Sequence, residues 1–310
     1  MPRPLPARCH APLVALAIIL GPGGFASAQP VIDGEALMRT VRTLASAEFG
    51  GRAAGTEGNA RARAWVLDRF RAAGLQPTAG GFEQQFTFTP AAPGAGNSPI
   101  EGVNVIGVCP GLDPRQPAIV VSAHYDHLGT RDGRLYPGAD DNASGVAVLV
   151  ELAGICVRYP FRHTLVFAAF DAEEMGLRGA RAFIAAPVVE PGRLALNVNL
   201  DMVARGDKRE IYAAGLHHAP GLRPLLAPVS RRAPIPLRFG HDRPGSGTDD
   251  WTLQSDHGAF HQAGVPFVYF GVEDHPDYHQ PTDTADKVDA GFFGQAANVI
   301  LDALRALDLL

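Results

Sequence analysis

Four apolar runs of strand length recur along the chain: AIVVSA, TLVFAAF, LALNVNL and VPFVYFG. Between them lie segments with helical spacing. Gly58 to Gly74 carries Val66, Phe70 and Ala73 at i, i+4 and i+7, and ASGVAVLVELAGICVRY is too long for a strand and reads as a largely buried helix. A further short β-branched run, NVIGVC, precedes AIVVSA, and GFFGQAANVILDALRALDLL closes the chain as a helix. Strands that are apolar throughout, rather than alternating, are buried on both faces. The pattern therefore predicts a single-domain α/β fold with a mostly parallel central sheet and helices on both faces.

The residues at the end of each run narrow the reading further. AIVVSA leads into HYDH, TLVFAAF into DAEE, LALNVNL directly to Asp201, and VPFVYFG into VEDHPDYH. One acid after a strand is ordinary turn or cap chemistry. Four strands delivering acids and histidines at their carboxyl ends describe a site, because ligands bind at that edge of an open α/β sheet. There is no G-x-S-x-G elbow, no P-loop and no H-E-x-x-H helix. Imidazole and carboxylate donors suit zinc, manganese or cobalt.

The ends of the chain add location. Arg3 and Arg8, the apolar run APLVALAIIL and the small residues ASA at Ala26–Ala28 form the pattern of a signal peptide over residues 1–28. Export is the expectation, with one domain over 29–310 and no membrane association after cleavage. Cys9 would leave with the signal. Cys109 and Cys156 remain, either as one disulfide or as two buried thiols. The net charge of −5, from 27 Lys+Arg against 32 Asp+Glu, comes without basic clusters and gives no footing for nucleic-acid binding. The one linker-like piece, Thr89–Pro99, is short enough to be a surface loop.

SAHYDHLG, PGADDNASGVA, DAEEMGLRGA, VNLDMV and PDYHQPTDTADKVD occur in the order and spacing of the co-catalytic dizinc aminopeptidases. The chain resembles that family from about Ala45 to Leu307. The family belongs to zinc peptidase clan MH, has the zinc-dependent exopeptidase fold, and includes exported bacterial aminopeptidases, with glutamate carboxypeptidases and glutaminyl cyclases as relatives. The resemblance implies two Zn2+ ions, with Mn2+ or Co2+ as substitutes. It assigns His124 and Asp201 to one zinc, Glu174 and His279 to the other, and Asp141 as the bridging carboxylate. It makes Glu173 the general base and acid, Asp126 the acid orienting His124, and Tyr278 a hydroxyl aimed at the oxyanion. It also implies a cis peptide bond between Asp141 and Asn142. The implied reaction is hydrolysis of the N-terminal peptide bond, by a hydroxide held between the zincs, in peptides with a free N-terminus.

Within the motifs, several residues compete. Asp140 competes with Asp141 and His275 with His279, and the family pattern favours the second of each pair. His127 reads as supporting a ligand or facing substrate rather than binding metal, and His257 as lining the substrate pocket, which is expected to draw on Ala204–Phe260. His217, His218, His241 and His261 read as surface or packing residues, and the sequon at Asn142 as coincidence. The short stretch between Phe82 and His124 has no room for the accessory domain that many relatives insert there, which weakens a carboxypeptidase or dipeptidase reading. A glutaminyl cyclase-like transferase with one zinc and a binding module without activity also compete, and the complete ligand set and Glu173 both speak against them.

Overall fold

The computed structural model describes Met1 and residues 30–89, 98–189 and 193–310. Apart from Met1, the signal peptide expected over residues 1–28, Cys9 with it, and most of the Thr89–Pro99 segment lie outside the described residues. Val31–Leu310 form one unit.

The strands are β1 (Glu83–Phe88), β2 (Ile100–Cys109), β3 (Ala118–His124), β4 (Gly129–Arg131), β5 (Arg134–Tyr136), β6 (Leu165–Phe170), β7 (Leu194–Leu200), β8 (Ile211–Ala214), β9 (Leu237–Phe239) and β10 (Phe267–Gly271). Eight of them make one sheet in the order β1-β2-β6-β3-β7-β10-β8-β9, and β4-β5 is a separate hairpin. The four central strands, β6-β3-β7-β10, run parallel and correspond to the four apolar runs. Outside them the sheet is mixed: β1 and β2 pair antiparallel, as do β2 with β6 and β8 with β10, whereas β9 is parallel to β8.

Every residue of β3, β6 and β10 is buried, as strands covered on both faces must be. Alternate side chains feed two different layers. Ile119 and Val121 join the larger core, made with helices α1 (Gly34–Leu44), α2 (Glu57–Ala73), α3 (Gly145–Arg158), α5 (Arg223–Arg232) and α7 (Ala290–Leu307). Val120 points the other way, into a cluster with Phe183 of α4 (Arg178–Ala185) and Phe260 of α6 (His257–Gln262). Helices thus cover both faces. Their ends follow local chemistry: Thr56 caps α2 through the Asn59 amide, Asp289 caps α7 through Gly291 and Phe292, and Gly74 ends α2 at φ 89°.

Cys109, the last residue of β2, is disulfide-bonded to Cys156 in α3, so the two cysteines are not free thiols. Beneath the sheet's carboxyl edge, Ser122, Asn197 and Asn199 break the apolar pattern and are linked in a hydrogen-bonded chain that ends on Ser255. Ser122 Oγ donates to Asn199 (2.7 Å), Asn197 donates to Ser122 (2.9 Å), and Asn199 donates to Ser255 (2.9 Å).

Candidate metal centre

Register brings the motif residues level. His124 ends β3 opposite Phe170, the last residue of β6, and Leu200 of β7 lies opposite Phe270 of β10. The segments leaving these strands therefore emerge side by side: His124, then Glu173 and Glu174, Asp201, and the loop holding His279. Ala172, Met202 and His279 sit in the left-handed region at φ 57°, 53° and 53°. Such backbone is costly for residues other than glycine and clusters where side chains must be aimed. The fifth contributor is the turn Ala139–Ser144 ahead of α3, in which the Asp141–Asn142 peptide bond is cis.

Two donor clusters result, joined by Asp141. His124 Nε2 lies 3.3 Å from Asp141 Oδ1 and 3.3 Å from Asp201 Oδ1. His279 Nε2 lies 3.1 Å from Asp141 Oδ2 and 3.3 Å from Glu174 Oε2. Asp141 thus turns one oxygen to each histidine. Donors about 2 Å from a tetrahedral ion stand about 3.3 Å from one another, so these spacings fit metal ligands. Asp201 Oδ1 is buried without a hydrogen-bond partner, which also fits an oxygen meant for a cation. His124, Asp141 and Asp201 offer converging ligand atoms, and so do His127, Asp141 and Glu174. Burial alone would raise the Asp141 carboxyl, but His127, His124 and His279 outweigh it and hold it well below the usual range.

The competing residues of the motifs face elsewhere. Asp140 accepts from the Ala204 amide (2.8 Å) and lies 3.2 Å from His275 Nε2. On its other side His275 is 3.2 Å from Arg205, which donates to Asp277 (2.8 Å). This chain of charges backs the loop rather than facing the clusters. Asn142 is buried, with its side chain bonded to the Leu200 carbonyl and the Gly145 amide.

Asp126 contacts more than His124. Its carboxylate accepts from the Glu173 and Glu174 amides at 3.0 and 3.3 Å and stands 3.5 Å from His124 Nδ1, while its carbonyl is closer to that nitrogen, at 3.2 Å. With Nδ1 turned toward an acceptor, Nε2 is the nitrogen that could hold a metal. Burial, with Asp256, Glu174 and Asp201 nearby, pushes the Glu173 carboxyl well above its ordinary range despite the opposing pull of His124. Tyr278 stacks on His279 with ring centroids 4.0 Å apart, and burial and the surrounding acids keep its hydroxyl protonated.

Four supporting residues escaped the sequence reading. Arg52, fully buried at φ 54°, donates to the carbonyls of Tyr125, Leu44, Pro137 and Gly138. It clamps the loops after β3 to the N-terminal helices, and burial lowers its pKa to about 10. Asp283 accepts from the amides of Asp140 and Asp141, each at 3.1 Å. Asp171 accepts from Asn59 (2.8 Å) and Val103 (3.0 Å), and burial raises it to about 6. Asp256 is buried with both oxygens unpartnered, and burial raises it to about 8. Asp171, Asp256 and Asp283 stand inside or beside the motifs, which was the available signal; Arg52 gave none.

The clusters open into a cavity of about 400 Å3 lined by Glu173, Tyr278, Asp274, Arg181 and the apolar residues Met202, Trp251, Leu253, Tyr269 and Val272. Trp251 and Leu253 come from the segment expected to build the pocket. His257 does not line it: its Nε2 lies 2.8 Å from the Trp251 carbonyl, behind the wall. His241 stacks on Trp251, with ring centroids 3.7 Å apart.

Residues 104–304 match the model of peptidase family M28. The chain belongs to peptidase family M28. Among M28-type relatives, the chain is similar to aminopeptidase YwaD of Bacillus subtilis, at 31% identity over 215 residues, covering 65% of this chain and 44% of YwaD. It is also similar to leupeptin-inactivating enzyme 1 of Streptomyces exfoliatus, at 27% identity over 271 residues, covering 86% of this chain and 54% of that enzyme. The chain thus spans about half the length of these curated relatives. The fold matches the zinc aminopeptidase BSAP of Bacillus subtilis with a TM-score of 0.72 at 19% identity, covering 89% of this chain and 96% of that one. It matches a glutaminyl cyclase of Bacteroides thetaiotaomicron equally well in shape, with a TM-score of 0.71 at 18% identity, covering 89% and 98%. The same α/β architecture is thus shared by a solved aminopeptidase and a solved glutaminyl cyclase, and shape alone does not separate the two.

Proposed function

We propose that this M28 chain is an exported metallo-aminopeptidase that holds two zinc ions. His124 and Asp201 would bind one ion, Glu174 and His279 the other, and Asp141 both. The observation that carries this reading is the division of Asp141, with one oxygen toward each histidine. Two dications bring +4, and Asp141, Asp201 and Glu174 return −3, which resolves the crowding of acids at this edge. When bound, such a pair supplies Lewis acidity, making a water more acidic and polarising a carbonyl.

The chain's own residues do the rest. Glu173, raised in pKa by burial and next to Glu174 in sequence but not committed to metal, takes the proton of the attacking water and passes it to the leaving amine. Asp126 fixes the backbone amides of Glu173 and Glu174, so the base and the ligand hold one spacing. Tyr278 donates to the oxyanion as it develops. The acidic wall, with Asp274, receives the substrate's α-ammonium group, and the apolar wall of Met202, Trp251, Leu253, Tyr269 and Val272 receives the first side chain. The Cys109–Cys156 disulfide supports an oxidising destination and, with it, the reading of residues 1–28 as a signal peptide.

The test is digestion of peptides with free and with acetylated N-termini by the zinc-loaded protein, read by mass spectrometry. Stepwise loss of single N-terminal residues from free peptides alone is expected. Glu173→Gln should abolish it while leaving zinc uptake intact, and unchanged turnover in that variant would sink the assigned base. Loss of ammonia from N-terminal glutamine without shortening would place the chain with the cyclases, and trimming from the carboxyl end with the carboxypeptidases.

A further inference from the structure

We infer that His127 is a positioning residue for Glu174: it donates from Nδ1 to the carboxylate oxygen that His279 does not face, and so sets the affinity of the second metal position. The inference rests on the two-metal reading above. The two oxygens of Glu174 are divided. Oε2 lies 3.3 Å from His279 Nε2, whereas Oε1 lies 2.7 Å from His127 Nδ1. The first separation is that of two donors sharing an ion; the second is that of a charge-assisted hydrogen bond, too short for two ligands on one tetrahedral ion at about 3.3 Å. A carboxylate with one oxygen committed to an N–H offers metal the other oxygen alone, in a plane fixed before the metal arrives.

The ring is held for this purpose. His127 is buried at 1% exposure, and its backbone amide donates to the Arg52 carbonyl at 3.3 Å. Its ring lies against Gly138, where a β-carbon would stand 2.5 Å from Cδ2; Gly138 has φ 58°, so glycine answers both the contact and the backbone. Nε2 is buried with no hydrogen-bond partner. The carboxylate at Nδ1 is an acceptor only, so that nitrogen carries the N–H of the contact. The arrangement inverts the one at His124, where a neighbouring acid sets the nitrogen of a ligating ring. Here a ring sets the oxygen of a ligating acid. The sequence left open whether His127 supports a ligand or faces substrate, and the cavity lining does not include it.

The test is chelator-competition titration of zinc into metal-free wild type, His127→Leu, His127→Gln and His127→Asn, with circular dichroism and melting of each metal-free protein as the check on folding. Asparagine carries an amide N–H where Nδ1 stands but no nitrogen lone pair to bind metal; glutamine carries its amide further out, and leucine has none. Wild type should take up two zincs. His127→Leu and His127→Gln should keep the first and lose about 10–100-fold in affinity for the second, while His127→Asn stays close to wild type. Either loss variant binding both zincs as wild type does would overturn the inference. So would His127→Asn as weak as His127→Leu, which would make the ring nitrogen itself a ligand. Wild type taking up one zinc would overturn the two-metal reading and this inference with it. The glutamine variant carries the loss arm if the leucine variant does not fold.

Discussion

His257 shows how a residue inside a functional motif can be structural. Its ring packs beside Phe267 and Tyr269, with centroids 4.7 and 4.8 Å away, and its burial drives the pKa from 6.5 to about 3. Between those values the unfolded chain holds one more proton than the native one, so this group's contribution to stability is whole above pH 6.5 and is lost as pH falls toward 3. At pH 5.5 the loss is about 1.4 kcal/mol. His257→Gln keeps an N–H for the Trp251 carbonyl and does not titrate, so its melting temperature should fall less than wild type's between pH 7 and 5.5. Parallel melting curves for the two proteins would acquit His257. The same residue-by-residue limit applies to neighbouring pairs. Sequence offers Asp140 beside Asp141 and His275 near His279 without saying which faces inward. That is decided by their partners, the Ala204 backbone amide for Asp140 and the Arg205 guanidinium for His275, which come from a distant part of the chain.

At the scale of elements, the four central strands were legible because burial on both faces makes their runs mostly apolar, with few polar residues such as Ser122, Asn197 and Asn199. The edges were not. β1 reads EQQFTF and is half exposed along its length, and β8 and β9 span only Ile211–Ala214 and Leu237–Phe239, too short for any period to show. Hence the parallel centre is written in the apolar runs and the antiparallel margins are not. The Cys109–Cys156 link was also undetermined, because pairing depends on where β2 and α3 meet. It closes a loop with a sequence separation of 47, for which the chain-entropy argument gives about 4 kcal/mol and measured disulfides typically give about 2–4. The double variant Cys109→Ala/Cys156→Ala should lose that much in guanidinium unfolding, and wild type under dithiothreitol should approach it. An unchanged midpoint would mean that the link adds no constraint to the unfolded chain.

Across the whole molecule, one edge of the sheet concentrates Asp126, Asp141, Glu173, Glu174, Asp201 and Asp256, all deeply placed, with His124 and His279 between them. The burial of these acids is a cost that the two hydrophobic layers must carry when no cation is present. That the four strands deliver them together was legible from the run ends alone; which acids meet was legible only through the motif resemblance, since the sheet order β6-β3-β7-β10 brings together residues far apart in sequence. A cation that binds the folded cluster and not the unfolded chain stabilises by mass action, by about 4.1 kcal/mol per site at a thousandfold excess over its dissociation constant. For a domain of this size each kcal/mol moves the melting temperature by about 2–4 °C, so one filled site is worth about 8–16 °C. Scanning calorimetry of chelator-stripped protein with graded free zinc should therefore show a melting temperature that climbs with the logarithm of zinc, and magnesium, which prefers octahedral oxygen donors, should do much less. A melting temperature indifferent to both chelator and zinc would mean that the acids neutralise themselves by protonation in the folded state. The two clusters around Asp141 would then be a hydrogen-bonded network rather than a metal centre.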